Sequence, residues 1–160
     1  MAMRSKARRD WCATVHAYKG DYFIPIKENN PAVLRDLTEF FEDEGIDRSE
    51  FGYHKEVNKG HGRLEIREIW TSTQMNAWFE QDWTGIAQVF MVQKTIKEKG
   101  EERTEISYGI TSVSRKHAHA ARILDLKRKH WCRENRLHYR RDVTDGEKML
   151  LKCARMELQK

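Results

Sequence analysis

This sequence lacks the features of several large classes of protein. Its apolar runs are short, and Val89–Val92 is among the longest. A membrane-spanning helix needs about 18 consecutive apolar residues, so we expect no integral membrane protein and no membrane partner. The three cysteines are widely spaced and form no C-x-x-C pair, which argues against a disulfide framework and a zinc ribbon. No apolar segment follows the basic N-terminus as it would in a secretion signal, and the sequence predicts a cytoplasmic protein.

The residues that are present predict one folded domain with strongly segregated charge. Of the 160 residues, 39% are hydrophobic and 10% aromatic, enough for a single core even though 34% are charged. The net charge of +5 is an average over two opposite segments. Residues 36–50 contain seven acidic residues and one basic residue, whereas residues 127–141 contain seven basic residues and one acidic residue. The basic segment suits binding to a polyanion, and a solvated helix face is the equally weighted alternative.

The periodicity of the apolar residues predicts an α/β fold. Residues 5–18 and 31–45 have the 3.6-residue spacing of helices, and the apolar run at 22–26 has the length of a buried strand. Residues 62–112 contain β-branched and aromatic runs that indicate three or four antiparallel strands. A long helix is predicted to begin at residue 114 or 115 and to continue to about residue 139.

Glu134 is the one acidic residue of the basic segment. On a helix it would share a face with Lys127, His130 and Arg141. Two explanations stay open. In the first, Glu134 forms ordinary ion pairs with residues one turn away, worth about 0.3–0.5 kcal/mol each, and the residues alone favour this explanation. In the second, Glu134 ligates a divalent metal while the surrounding bases hold phosphates, as two-metal phosphoryl transfer requires.

Four blocks of sequence follow one another in a characteristic order. They are G-D-Y at 20–22, K-E-N-N-P at 27–31, K-G-H-G-R-L-E-I-R at 59–67 and H-W-C-R-E-N-R-L-H-Y-R-R-D-V-T at 130–144. This order resembles the DDE-type insertion-sequence transposases of the H-repeat-associated (ISAs-type) branch of the IS-four-like superfamily. The patterns of that branch are G-D-Y, K-x-N-Q-P, H-G-R-x-E-x-R and H-W-x-x-E-N-x-L-H-(W/Y)-x-x-D-V-T. The resemblance covers about residues 2–147, with Asn30 in the place of the family's Gln.

The resemblance implies a partial RNase H-like catalytic core in which a β-rich insertion precedes the final catalytic helix. Residues 1–160 would then form a single incomplete transposase domain. Its expected parts are a helix–strand–helix portion of the core at about 5–50, the insertion at about 51–113, the catalytic helix region at about 114–147 and a divergent tail at 148–160. The family's two upstream aspartates have no counterpart here, and Met1 takes the place of the second. The resemblance therefore implies a C-terminal fragment truncated at both ends.

The resemblance also implies a chemistry and a set of site residues. The last acid of the DDE triad falls on Glu134, which would help to hold Mg²⁺, or Mn²⁺, while DNA is cut and joined at the ends of an insertion sequence. The residues expected to contact double-stranded DNA are Lys27, His61, Arg63, Lys127, His130, Arg133, His138 and Arg141. Two positions where related transposases have a Tyr and an Arg hold Lys127 and His130 here.

The missing aspartates limit the expected activity. One carboxylate cannot hold two metal ions about 3.5–4 Å apart, so we expect no catalysis by this chain alone. The intact enzyme is expected to act on transposon ends, and a homodimer is compatible with it. The alternative function, which needs no metal, is a non-catalytic basic module that binds nucleic acid.

Overall fold

The protein mixes five strands with four helices in the part of the chain that the structure describes. This computed structural model describes the backbone of residues 2–28 and 30–137, and the side chains of residues 9–28 and 30–129. In chain order the elements are α1 (Ala2–Ala17), β1 (Phe23–Ile26), α2 (Pro31–Glu42), β2 (Gly52–Gly60), β3 (Arg63–Ser72), α3 (Asn76–Phe79), β4 (Gln88–Glu98), β5 (Glu101–Thr111) and α4 (Ala120–Leu137). The predicted α/β class is confirmed at this level. None of the described helices is both long and apolar enough to cross a membrane.

All five strands belong to one antiparallel sheet, in the order β1-β5-β4-β3-β2. Strands β2 to β5 pair with their neighbours in the chain, so this part of the sheet is a meander. Strand β1 comes from far upstream and pairs with β5, where Phe23 lies opposite Thr111. The strand predicted at 22–26 therefore extends the same sheet as the strands predicted at 62–112.

The structure departs from the sequence predictions at several places. The short helix α3 was not predicted within the β-rich region. The strand β2 was not predicted, because this edge strand carries charged residues on both faces, such as Lys55 and Glu56, and lacks the usual apolar alternation. The last helix begins at Ala120 and not at residue 114 or 115. The residues before it form a turn in which Ser114 Oγ and His117 Nδ1 are 2.6 Å apart. Helix α2 ends at Glu42, so half of the acidic segment lies in the following loop.

Apolar side chains fill the space on both sides of the sheet. On one side, Ile123 and Leu124 of α4 pack against Ile69, Phe90 and Val92 of the sheet, and we call this side the α4 face. On the other side, the first three helices cover a larger cluster that includes Val15, Leu37, Phe41, Phe79, Val89 and Ile110. The sheet is therefore the middle layer between α4 and the N-terminal helices.

The G-D-Y block at residues 20–22 has a structural role. The Tyr22 hydroxyl is 3.1 and 3.0 Å from the backbone carbonyl oxygens of Trp83 and Thr84, to which it can donate. Burial raises the pKa of the Tyr22 phenol above its usual range. The Tyr22 amide donates to Ser112 Oγ at 2.7 Å, and this hydroxyl donates to Asp21 Oδ1 at 3.0 Å. The bonds of Ser112 connect the residues before β1 to the residue that follows β5.

Gly109 of β5 leaves room for an aromatic stack on the α4 face. The ring of Phe90 lies over this glycine, and a Cβ atom at position 109 would collide with the ring. Phe90 also stacks on Phe23 of β1, with ring centroids 4.9 Å apart and an interplanar angle of 16°. The stack thus joins β1, β4 and β5, and it depends on the absence of a side chain at Gly109.

We expect Gly109→Ala to lower the free energy of unfolding by about 2–3 kcal/mol, because the added methyl group displaces the Phe90 ring from a packed position. Urea denaturation followed by circular dichroism measures this loss. The matched control is Gly60→Ala, since a Cβ atom at position 60 meets nothing within 4 Å. Similar losses in the two variants would show that the close contact with Phe90 is not what makes Gly109 necessary.

Candidate functional site

The block at 59–67 forms the hairpin between β2 and β3. His61 and Gly62 are its two turn residues, with φ values of 52° and 74°, the sign that a two-residue type I′ turn requires. Because side chains alternate along a strand, Arg63, Glu65 and Arg67 all lie on the same face of β3 as Ile69, which is the α4 face. The R-x-E-x-R spacing therefore places three charged groups in one row beside α4.

Glu65 lies at the centre of a group of ion pairs on this face. Its carboxylate oxygens are 3.2 Å from Arg63 Nη2, 2.8 Å from Arg67 Nη2 and 3.1 Å from Lys94 Nζ. Partial burial alone would raise the pKa of the Glu65 carboxyl. The hydrogen bond from Lys94 and the three positive charges outweigh burial and lower this pKa below its ordinary value. Glu65 is therefore ionised and fully engaged by cations of the protein.

Helix α4 adds a further cation to this row. It begins beside Gly52, and at Lys127 and Arg128 it reaches the polar part of the sheet. The Lys127 ammonium donates a hydrogen bond to the Ser107 hydroxyl of β5. Arg128 pairs with Glu56 of β2 at 3.1 Å. These two contacts hold α4 across the sheet. We use the name basic cluster for the three cations that bind Glu65, together with Lys127 and with Lys27, whose charge acts on Lys127: Arg63, Arg67, Lys94, Lys127 and Lys27.

The surroundings of Lys127 disfavour its charged form. Burial is the largest cause, and the positive charges of Lys94, Arg67 and Lys27 act in the same direction, while the carboxylate of Glu105 opposes them in part. Together they lower the pKa of the Lys127 ammonium from its ordinary value of 10.5 to about 8. Within the described residues no carboxylate lies within ion-pair distance of the Lys127 ammonium. A half-buried cation among other cations attracts an anion from solution.

The structure brings together three of the residues that were predicted to contact DNA. Arg63 and Lys127 belong to the basic cluster, and the charge of Lys27 acts on Lys127. His61 lies at the exposed tip of the hairpin, two residues from Arg63. The remaining candidates are not placed with side chains: His130, Arg133 and Glu134 lie on the backbone of α4 beyond Lys127, and His138 and Arg141 lie outside the described residues.

Lys94, Arg67 and Ser107 were not predicted as site residues. The alternation R-x-E-x-R at 63–67 was a signal for Arg67, because residues two apart on a strand share a face. No such signal exists for Lys94 and Ser107. The register of β3 and β4 places Lys94 opposite Arg67, and the register of β4 and β5 places Ser107 opposite Val92. That register is a property of the sheet and not of any local pattern.

The described residues do not form the Mg²⁺ site that the transposase resemblance implies. No group of three or more His, Cys, Asp or Glu side chains within this part of the chain could hold a metal ion. Glu65, the carboxylate of β3 on the α4 face, is engaged by three cations and is not available to a metal. A magnesium site on Glu134 would need at least two further carboxylates.

Comparisons with known proteins do not identify a family for this chain. No protein-family model matches it, and no solved structure matches it. A curated protein of Xanthobacter autotrophicus, described as "Uncharacterized protein in dhlA 3'region", is 35% identical to it over 95 residues. The match covers 58% of this chain and 32% of the relative, so the chain spans about a third of that protein's length. That description names no activity, and the function has to be inferred from the site.

Lys127 makes stability depend on pH in a predictable direction. The unfolded chain keeps the Lys127 proton up to about pH 10.5, whereas the folded protein releases it near pH 8. Between these values the unfolded state binds more protons, so this residue makes the free energy of unfolding rise with pH across the window. Below pH 8 the burial of the charged ammonium destabilises the fold.

We therefore expect Lys127→Met to raise the free energy of unfolding at pH 7 by about 2 kcal/mol, after allowing for the lost hydrogen bond to Ser107. The gain should shrink as the pH approaches 10.5. Urea denaturation at a series of pH values measures it. The control is Lys129→Met on the same helix, where the ammonium is half-exposed and pairs with Asp125 at 3.0 Å, so that little change is expected. A loss of stability in Lys127→Met at pH 7 would contradict the assignment.

Proposed function

We propose that this chain is the C-terminal part of a bacterial DDE transposase and that the basic cluster lies against DNA phosphates. The observation that supports the proposal is a convergence in space. The H-G-R-x-E-x-R block lies on β3, the block that contains Glu134 begins about one turn after Lys127 on α4, and α4 packs across β3 and its neighbours. Two segments that match the family pattern, more than 60 residues apart in the sequence, therefore begin on β3 and on the helix that packs against the sheet.

In this proposal the antiparallel meander is the β-rich insertion of an RNase H-like core, and α4 is the final catalytic helix. Glu134 follows Lys127 by seven residues, which is about two helical turns and about 10 Å along the axis. Glu134 would be the third acid of the triad, and the first two aspartates would come from another part of the intact enzyme. The chain alone would bind DNA without cutting it, and the proposal includes no catalytic step for it.

The basic cluster also supports the alternative function, a non-catalytic nucleic-acid-binding module. Arg63, Arg67 and Lys94 bind Glu65, and the positive charges of Arg67, Lys94 and Lys27 act on Lys127. Glu105 opposes these charges in part. Electrostatic attraction of this kind binds the phosphate backbone of any sequence. This function requires neither Glu134 nor a metal, so the two functions differ in the role of one side chain.

Binding to duplex DNA tests both functions. We expect the chain to bind a fluorescent duplex in an anisotropy assay, with an affinity that falls steeply between about 50 and 200 mM salt. The double variant Arg67→Gln/Lys94→Gln should bind at least tenfold more weakly, and the slope of log K against log salt should decrease by about 2, because two phosphate contacts are lost.

The matched control removes the same two charges from the opposite side of the sheet. Lys55 and Lys59 alternate with Glu56 on β2 and lie on the face away from α4, so Lys55→Gln/Lys59→Gln should keep most of the affinity. Circular dichroism of both double variants checks that they fold. Equal losses in the two variants, or an affinity that does not change with salt, would argue against DNA binding by the basic cluster.

Glu134 separates the transposase from the binding module. In a protein completed by an upstream segment that supplies the two aspartates, Glu134→Gln should abolish Mg²⁺-dependent strand cleavage, because the last metal-binding carboxylate is lost. Duplex binding should remain nearly unchanged, since no phosphate contact is removed. Cleavage at the normal rate in the variant would rule out the catalytic role. The upstream DNA should also encode D-G-K-like and D-A-(M/L)-H-like blocks in some reading frame.

A further inference from the structure

We propose that Arg67, Lys94 and Lys127 form a binding site for a single phosphate group, at the place where α4 crosses β3, β4 and β5. The identity of the biological ligand, a phosphodiester of DNA, rests on the proposed function. The geometry of the site is a property of the protein and does not depend on that function. The three residues come from three different elements, so the site exists only in the folded sheet with α4 docked on it.

The first argument is the imbalance of charge at this point. Arg67 and Lys94 lie directly opposite each other on β3 and β4, an arrangement in which like charges repel. The negative charge of Glu65 compensates these two positive charges in part, because Glu65 also pairs with Arg63. Glu56 lies opposite Arg67 on β2 and pairs with Arg128 at 3.1 Å, and Glu105 pairs with Arg103 at 3.6 Å. Lys127 therefore brings a positive charge to a place where the described carboxylates are already engaged.

The second argument is the set of hydrogen-bond donors without acceptors. Among the described residues, Arg67 Nη1 is buried and has no hydrogen-bond acceptor, although Nη2 of the same guanidinium binds Glu65 at 2.8 Å. The Lys127 ammonium carries three donors, and the described part of the chain offers it one partner, the Ser107 hydroxyl. A buried guanidinium nitrogen without an acceptor is rare in folded proteins and indicates a bound ion or water.

The third argument is the chemistry of the ligand that would complete the site. It must carry negative charge and several acceptor oxygens that point in different directions, because the donors come from three separate elements. Phosphate meets both conditions, and a guanidinium fork with neighbouring ammonium groups is a common way of holding it. The same chemistry fits a phosphodiester of DNA and a free phosphate ion, which the experiment distinguishes.

Calorimetric titration with inorganic phosphate at constant ionic strength tests the site. We expect saturable binding by the whole chain, at least tenfold weaker in Lys127→Met, because one charge-assisted hydrogen bond is lost. This variant is expected to be more stable than the native protein at pH 7, so weaker binding in it cannot be ascribed to unfolding. Lys129→Met, which removes an equal charge from the same helix, should bind phosphate as the native protein does.

The outcomes separate this site from the proposed function. Phosphate binding that is equally strong in Lys127→Met, or absent from the native chain, overturns the site even if duplex DNA still binds. Binding that Lys127→Met weakens supports it. If phosphate also displaces the labelled duplex, the ligand is a DNA phosphodiester. If the native chain binds phosphate but no duplex, the site takes free phosphate and the proposed function fails on its own.

Discussion

The ion pairs of Glu65 are the interaction on which the polar half of this protein depends. They allow Arg67 and Lys94 to face each other across two neighbouring strands, where two positive charges would otherwise repel. They also allow α4 to bring the Lys127 ammonium to the same face, beyond the apolar contacts of Ile123 and Leu124. Compensation by one carboxylate is partial. We expect the burial of the Lys127 ammonium, together with the remaining positive charge, to lower stability at neutral pH.

Parts of this arrangement could be predicted from the sequence, and the physical reason is the range of the interactions. The helices and most strands follow from periodicities of 3.6 and 2 residues, which are local. The common face of Arg63, Glu65 and Arg67 follows from the same local rule. The contribution of Lys94 could not be predicted, because it depends on which residue of β4 lies opposite Arg67. Strand β2 was not predicted for a related reason. It lies at the edge of the sheet and carries charged residues on both faces, so it lacks the alternation of apolar and polar residues that identifies a strand.

The sequence blocks that resemble the transposase family divide into two kinds in the structure. Tyr22 of the G-D-Y block is buried and bonds to the carbonyls of Trp83 and Thr84, so this block holds the fold together. The charged residues of the R-x-E-x-R block lie at the edge of the core, where ligands can approach. A motif in a sequence can therefore reflect packing as readily as chemistry. Only the second kind of block contributes to the proposed binding of phosphate.

The pairing of β1 with β5 has a consequence for the order in which the chain folds. Strands β2 to β5 meet as neighbouring hairpins, and such local contacts form early because little chain entropy is lost. The hydrogen bond between the Tyr22 amide and Ser112 joins residues 90 positions apart, so this contact closes a long loop. We therefore expect the meander to fold first and the helices α1 and α2 to attach with β1 afterwards. During synthesis on the ribosome, β1 would wait for almost the entire sheet to emerge before its partner strand is available.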